Sequence, residues 1–196
     1  STPAPAENVL ELFFLCNALS RAGARINLFV TYFAYARQTI VAPGEACAAH
    51  VITKSLQNFP LKSVYIMHPH CSLLHNFLPF TAVHDINFFC NQATAYDIIA
   101  APDKGAIPFA ETIAKASNKK LLLLTKVRPA QEKVKIVAVD GQVTDKKVLL
   151  VDDIISTGRT IAECAHALKE LGATSVAAAA SHGVFSPGSQ ELLEQS

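Results

Sequence analysis

The chain has little net charge, no long apolar run and no nucleotide-binding motif of the Walker type. Its 196 residues carry 17 basic and 16 acidic side chains, a net charge of +1, so the composition indicates neither a nucleic-acid surface nor a membrane surface. The longest apolar runs are far too short to cross a bilayer. The absence of Gly-x-x-x-x-Gly-Lys-Ser/Thr excludes a Walker-type ATPase.

The five cysteines are odd in number and include no Cys-x-x-Cys pair. Reduced thiols in a cytosol fit this pattern best, because disulfide frameworks use even sets of cysteines in secreted chains. The chain is 51% hydrophobic and 17% charged, which is typical of a globular protein, and it is long enough for one large domain or two small ones. We therefore expect a soluble cytoplasmic protein.

One stretch combines a buried strand, a polar loop and the start of a helix. The apolar residues 148–151 predict a strand of a parallel sheet, covered on both faces and ending at the paired acids Asp152 and Asp153. The short loop Ser156-Thr-Gly-Arg follows, and the periodicity then predicts a helix over residues 160–171.

This arrangement suits a sugar phosphate. A helix N-terminus presents unpaired N–H groups and the positive end of the helix dipole, so a phosphate can sit against Ser156, Thr157, Gly158 and Thr160. The two carboxylates before the loop suit hydroxyl groups or a divalent cation. The alternative is an ordinary capped turn between strand and helix, but such a turn does not need two adjacent acids.

The segment Val-Leu-Leu-Val-Asp-Asp-Ile-Ile-Ser-Thr-Gly-Arg-Thr resembles the ribose-5-phosphate loop of the phosphoribosyltransferase superfamily. In its Asp-Asp-Ile-Ile form it resembles that of the ribose-phosphate diphosphokinases, the phosphoribosyl pyrophosphate synthetases. The resemblance implies that ribose 5-phosphate is bound by Asp152, Asp153, Ser156, Thr157, Gly158, Arg159 and Thr160.

The resemblance also implies an α/β fold with two related lobes of phosphoribosyltransferase-like type, each a mostly parallel sheet flanked by helices. A helix-Gly-Ala-strand unit does occur twice, around Gly23 and around Gly172. We place the lobe boundary near Asn91, with an ATP-side lobe over residues 1–91 and a sugar-phosphate lobe over residues 92–196.

The first helix of the N-terminal lobe is predicted over residues 9–22. Its apolar stripe is expected to consist of Leu12, Leu15, Cys16 and Leu19.

The segment Ala-Pro-Asp-Lys-Gly-Ala, residues 101–106, resembles the family's pyrophosphate loop. The resemblance assigns Asp103, Lys104 and Gly105 to that loop and makes Asp103 and His70 ligands of Mg²⁺. Ala106 replaces the second glycine of the family motif, which is expected to weaken the loop if the position needs a positive φ or a very close approach of the backbone. Without the resemblance this segment is simply a turn sequence.

Two cationic segments complete the resemblance. Lys126 and Arg128 match residues that act on the transferred diphosphoryl group, and Arg37 and Gln38 match the Tyr-Ala-Arg-Gln motif at the ATP. The structural alternative for these cations is a solvated position at a strand end or on the surface.

The resemblance implies an enzyme that transfers the diphosphoryl group of ATP to ribose 5-phosphate, with Mg²⁺ as cofactor and a homo-oligomer as the assembly. A phosphoribosyltransferase acting on a nitrogen base is one alternative. A non-catalytic regulatory relative is another, favoured by His68 at the position of a family acid and by Val127 and Ala106.

A separate alternative concerns the histidines that follow the second strand. Imidazole and thiolate groups suit transition metals, so a site formed by His68, His70, Cys71 and His75 is possible, although their spacing matches no standard zinc motif.

Overall fold

The computed structural model describes residues 5–127, 135–138 and 142–196. The chain divides into two compact units, one ending at His84 and one running from Asp85 to Ser196. The boundary predicted near Asn91 lies inside a helix of the second unit, so the observed division comes before that helix.

Helices and strands alternate along both units. The helices are α1 Pro5–Arg21, α2 Ala48–Leu56, α3 Ile86–Ala93, α4 Ile107–Ala116, α5 Arg159–Glu170 and α6 Ser189–Glu194, with a 3-10 helix over Ser72–Asn76. The strands are β1 Ile26–Val30, β2 Leu61–Met67, β3 Thr81–Val83, β4 Ile98–Ala101, β5 Lys120–Val127, β6 Lys135–Ala138, β7 Lys147–Ile155 and β8 Ser175–Gly183.

The first unit contains a three-stranded parallel sheet in the order β1-β2-β3. Its core joins the sheet to α1 and α2 through buried side chains that include Leu28, Ile52, Leu56 and Ile66. These residues fall on alternate positions of the strands and on one face of α2, which explains why each element forms where it does.

Helix α1 packs with a different face from the predicted one. Val9, Leu12 and Phe13 contact the core and Cys16 is buried, which is the i, i+3, i+4, i+7 pattern of one helix face. The predicted members Leu15 and Leu19 are instead exposed, so that part of the prediction is wrong. Because α1 is apolar around much of its circumference, periodicity alone could not select the face.

The second unit contains a five-stranded sheet in the order β6-β5-β4-β7-β8, parallel except for β6. Alternate residues of β7 enter two different cores: Val148 and Leu150 pack on one face, and Leu149 and Val151 pack on the other. The predicted strand covered on both faces is confirmed, and so is the α/β fold of parallel sheets flanked by helices.

Strand β7 does not end at the acids as predicted. Its pairing with β8 continues past Val151, with Asp152 opposite Ala180 and Ile155 opposite Gly183. Helix α5 then begins at Arg159, one residue before the predicted start. The two acids therefore lie on a strand, which holds their backbone more firmly than a loop would.

The repeated helix-Gly-Ala-strand unit is present, and a third copy between α4 and β5 has Asn118 and Lys119 in place of Gly and Ala. In each copy the residue three positions past the helix donates its N–H to a carbonyl five residues earlier: Ala24 to Leu19 at 3.0 Å, Ala173 to Leu168 at 3.0 Å, and Lys119 to Ala114 at 2.8 Å. The bond closes the C-terminal end of the helix, and the residue just before the donor has a left-handed backbone. That residue is Gly23, Gly172 or, in the third copy, Asn118.

A membrane-spanning helix is not found: no helix in the described ranges is both long enough and apolar enough to cross a bilayer.

Candidate functional site

The carboxyl ends of β4, β7 and β8 lie side by side, because these strands are parallel neighbours in the sheet. The loops that follow them, residues 102–106, 156–158 and 184–188, therefore meet at one edge. Ligands of open parallel sheets gather at this edge. Two of the three loops were predicted to bind ligand, and the structure brings both together.

The loop after β7 has open backbone donors. Gly158 is left-handed, with φ at +74°, and is the N-cap of α5, whose first helical bond runs from the Ala162 N–H to the Gly158 carbonyl at 2.9 Å. Within the described part of the chain, the N–H groups of Thr157, Gly158 and Thr160 have no acceptor. Three donors at the positive end of a helix dipole form a site for an anion.

Asp152 and Asp153 are both partly exposed. The Asp153 N–H donates to Asp152 Oδ1 at 2.8 Å. Burial raises the pKa of Asp152 from its ordinary 3.8 to about 7, and the nearby charges of Asp153 and Asp103 push it in the same direction. Three carboxyl groups thus lie close together at this edge, which favours a hydroxyl donor or a cation as their ligand.

The loop after β4 is closed by its own aspartate. Asp103 Oδ1 accepts from the N–H of Gly105 at 2.8 Å and from that of Ala106 at 3.2 Å. Asp103, Lys104 and Gly105 are all exposed. This loop can therefore offer a lysine and one remaining carboxylate oxygen to a ligand.

Ala106 does not have the backbone conformation for which a glycine would be required. Its φ is −78°, it precedes α4 in a helical conformation, and its methyl group is buried in the core. A positive φ is therefore not a reason for Ala106 to weaken this loop, and the expectation about a close approach of the backbone stays a prediction.

The third loop at this edge, residues 184–188 after β8, was not predicted from the sequence to be part of the site. Val184 N–H donates to the Ile155 carbonyl at 2.9 Å, and Ser186 N–H donates to the Ser156 carbonyl at 3.0 Å. The hydroxyl oxygens of Ser156 and Ser186 are 3.2 Å apart. The signal that could have found this loop is positional, since a strand paired in parallel with β7 must end beside it.

The predicted ATP residues lie in the first unit. Arg37 and Gln38 belong to a turn after β1, in which the Gln38 N–H donates to the Tyr35 carbonyl at 2.8 Å, and both side chains are exposed. His70 follows β2, the parallel neighbour of β1, and is also exposed. These three residues therefore lie at one edge of the first sheet.

The cationic segment is described only in part. Lys126 lies in β5, opposite Ile136 of the antiparallel strand β6. Arg128 lies outside the described residues.

The transition-metal alternative gains no support from the geometry. In the described ranges, no three His, Cys, Asp or Glu side chains converge as metal ligands. Two of the histidines take part in aromatic packing instead. The rings of His68 and His84 meet edge to face with their centroids 4.8 Å apart, and the ring of His75 stacks on that of Phe80 with the centroids 3.8 Å apart.

Comparison with known families assigns the chain. Residues 75–194 match the model of the phosphoribosyl transferase domain, and residues 1–59 match that of the N-terminal domain of ribose phosphate pyrophosphokinase. The chain belongs to the ribose-phosphate pyrophosphokinase family. The resemblance read from residues 148–160 is thereby confirmed.

Individual members of the ribose-phosphate pyrophosphokinase family agree with this assignment. The enzyme so named from Thermococcus kodakarensis is 33% identical over 96% of this chain and 70% of its own length, and that from Pyrococcus abyssi is 34% identical over 96% and 68%. The crystal structure of phosphoribosylpyrophosphate synthetase from Mycobacterium smegmatis superposes with a TM-score of 0.82 at 28% identity. The match covers 97% of this chain and 65% of the synthetase chain, so this chain spans about two thirds of the length of its relatives.

Proposed function

We propose that this chain carries the ribose-phosphate diphosphokinase site. The anomeric hydroxyl oxygen of ribose 5-phosphate forms a bond to the β-phosphorus of ATP, the bond from that phosphorus to the oxygen of the α-phosphate breaks, and the hydroxyl proton is lost to solvent or base. The products are phosphoribosyl pyrophosphate and AMP. The single observation that carries the proposal is the loop of open amide donors directly after two strand-borne acids.

The loop and the acids have separate roles at the sugar phosphate. The 5-phosphate accepts hydrogen bonds from the amides of Thr157, Gly158 and Thr160 and from the hydroxyl of Ser156, while Arg159 adds an exposed cation beside the loop. The ribose hydroxyls donate to the acid pair that precedes the loop. A ligand held at both ends has its anomeric carbon fixed, which is what in-line transfer requires.

Cationic side chains act on the diphosphoryl group. Lys126 and Arg128 stabilise the charge that spreads over the phosphoryl oxygens in the transition state, and Lys104 contributes from the neighbouring loop. Arg37 and Gln38 bind ATP from their exposed turn.

The donor set of the sheet edge fits Mg²⁺. Asp152, Asp153 and Asp103 place three carboxyl groups at this edge, and carboxylate oxygens are the ligands that Mg²⁺ prefers. In the described part of the chain no three side chains form a metal cage, which agrees with an ion that keeps water and substrate phosphates as most of its ligands. When bound, Mg²⁺ neutralises phosphate charge, and Asp103 would hold it; His70 stays a predicted ligand.

Two further proposals concern the setting of the enzyme. The family suggests a homo-oligomer. None of the five cysteines, all of which lie in the described residues, forms a disulfide, which supports a cytoplasmic location.

The test is AMP formation from ATP, ribose 5-phosphate and Mg²⁺ by the full-length protein. Lys126→Ala is expected to lower kcat by about 100-fold, because it removes a cationic donor to the transition state. Lys120→Ala is the matched control, since Lys120 is exposed at the other end of the same strand. Equal turnover by the two variants would refute the role of Lys126, and no AMP from the wild-type protein would refute the reaction.

A non-catalytic relative is the second candidate, and His68 favours it. This residue replaces a family acid, is 7% exposed and packs against His84, so it adds no hard oxygen ligand for Mg²⁺. Binding of ribose 5-phosphate without any turnover would support this candidate. The third candidate, a phosphoribosyltransferase acting on a nitrogen base, has no use for ATP, and absence of ATP binding would favour it.

A further inference from the structure

We propose that Ser186 is a positioning residue of the phosphate loop, and that it acts through the hydroxyl of Ser156. This inference rests on the proposed function, because it assumes that Ser156 donates to the 5-phosphate. Ser186 lies between β8 and α6 and is not part of the loop that follows β7.

Two contacts join Ser186 to Ser156. The Ser186 N–H donates to the Ser156 carbonyl at 3.0 Å, and the two hydroxyl oxygens are 3.2 Å apart. One contact holds the backbone of Ser156 and the other holds its side chain. The carbonyl oxygen and the hydroxyl oxygen of Ser156 are thus both held by the segment that follows β8.

The segment that carries Ser186 is itself tightly held. Phe185 is left-handed, with φ at +45°, and its ring folds back so closely that a methyl group on Gly183 would lie 2.3 Å from Phe185 Cε2. On the other side, the Ser189 N–H donates to the Ser186 carbonyl at 3.0 Å. Because the chain is held on both sides of Ser186, this residue can hold Ser156 in place.

The direction of the hydroxyl pair follows from the charge of the ligand. When Ser186 donates to Ser156 Oγ, the proton of Ser156 remains available for a phosphate oxygen. Each hydrogen bond of such a chain polarises the next, so the bond to the anion is strengthened. Ser186 therefore orients a donor that already lies in the site.

The experiment measures ribose 5-phosphate binding by calorimetry and the KM values for both substrates with the full-length protein. Ser186→Ala is expected to weaken ribose 5-phosphate binding by roughly three- to tenfold, the effect of one hydrogen bond, with the KM for ATP unchanged. Ser186→Thr retains the hydroxyl and should restore most of the affinity.

Ser189→Ala is the matched control. Ser189 is 2% exposed and lies three residues further along the same segment, and its hydroxyl has no hydrogen-bond partner among the described residues. Its removal should leave binding unchanged. The decisive comparison is a double-mutant cycle with Ser156→Ala: in that background Ser186→Ala should cause no further loss.

The outcomes separate the two claims. Wild-type protein that does not bind ribose 5-phosphate overturns the proposed function and this inference with it. Wild-type binding, combined with a Ser186→Ala variant that behaves like Ser189→Ala or whose loss adds fully to that of Ser156→Ala, overturns this inference alone.

Discussion

Leu193 lies directly over Gly158. A methyl group placed on Gly158 would come within 3.0 Å of Leu193 Cγ and 3.3 Å of each Leu193 Cδ. Helix α6 therefore covers the start of α5 at the phosphate loop. Glycine is required at position 158 for two reasons. Its φ of +74° disfavours any side chain, and Leu193 already fills the space that a side chain would take.

Gly158→Ala is therefore expected to destabilise the protein and to weaken ribose 5-phosphate binding. The left-handed backbone alone costs about 1–2 kcal/mol, and displacing Leu193 adds to this. Urea unfolding and ribose 5-phosphate titration measure the two effects.

Gly188→Ala is the control for that substitution. Gly188 is also the left-handed N-cap of a helix, but a methyl group there would contact nothing within 4 Å. Gly188→Ala should therefore lower the free energy of unfolding only by the cost of a left-handed alanine. Equal losses of stability in the two variants would mean that Leu193 moves aside freely.

Asp103 has a structural role that can be separated from its chemical one. Asp103→Ala leaves the amides of Gly105 and Ala106 without their acceptor and should lower the free energy of unfolding by about 1 kcal/mol. Asp103→Asn keeps a carbonyl oxygen in that place and should unfold like the wild type, yet lose Mg²⁺-dependent turnover. An Asn variant with full activity would show that the negative charge of this loop is not used.

Asn118 offers a stabilising substitution. It is left-handed, with φ at +53°, in the same helix-end geometry in which the other two copies use glycine. Asn118→Gly should raise the free energy of unfolding by about 0.5 kcal/mol, because glycine adopts this conformation without steric cost. A loss of stability in urea unfolding would show that the Asn side chain contributes more than its backbone strain costs.

The succession of strand, loop and helix around the paired acids could be predicted because it is local. Strand, acids, loop and helix start follow one another between Lys147 and Thr160, so spacing alone places them together. The extension of β7 through Asp152 could not be predicted in this way, since it depends on pairing with Ala180, which lies 28 residues further along the chain. Strand pairing between distant segments is not visible in local periodicity.

The same reason explains why Ser186 was missed. Its contact with Ser156 exists only because β8 is the neighbour of β7, and the order of strands in a sheet is not written in either segment. The face of α1 was mistaken for a different reason. Where a helix is apolar nearly all round, as at Leu12 and Leu15, tertiary packing decides which residues are buried.

The raised pKa of Asp152 makes a prediction about stability. The folded protein holds the Asp152 proton up to about pH 7, whereas the unfolded chain releases it near the ordinary value of 3.8. The fold therefore favours the protonated form. Its contribution to stability is complete below about pH 4 and is lost as the pH rises towards and through 7.

The difference in unfolding free energy between the wild type and Asp152→Asn isolates this effect. Because the Asn side chain stays neutral, the wild type should lose stability relative to the variant as the pH rises from 4 to 8. Asp145→Asn, which removes a charge from an exposed turn, is the matched control, and a trend of the same size in that variant would mean that the effect is not specific to Asp152. A wild type that gains stability over Asp152→Asn with rising pH would mean that the fold favours the carboxylate, and burial would then not be what governs the pKa of Asp152.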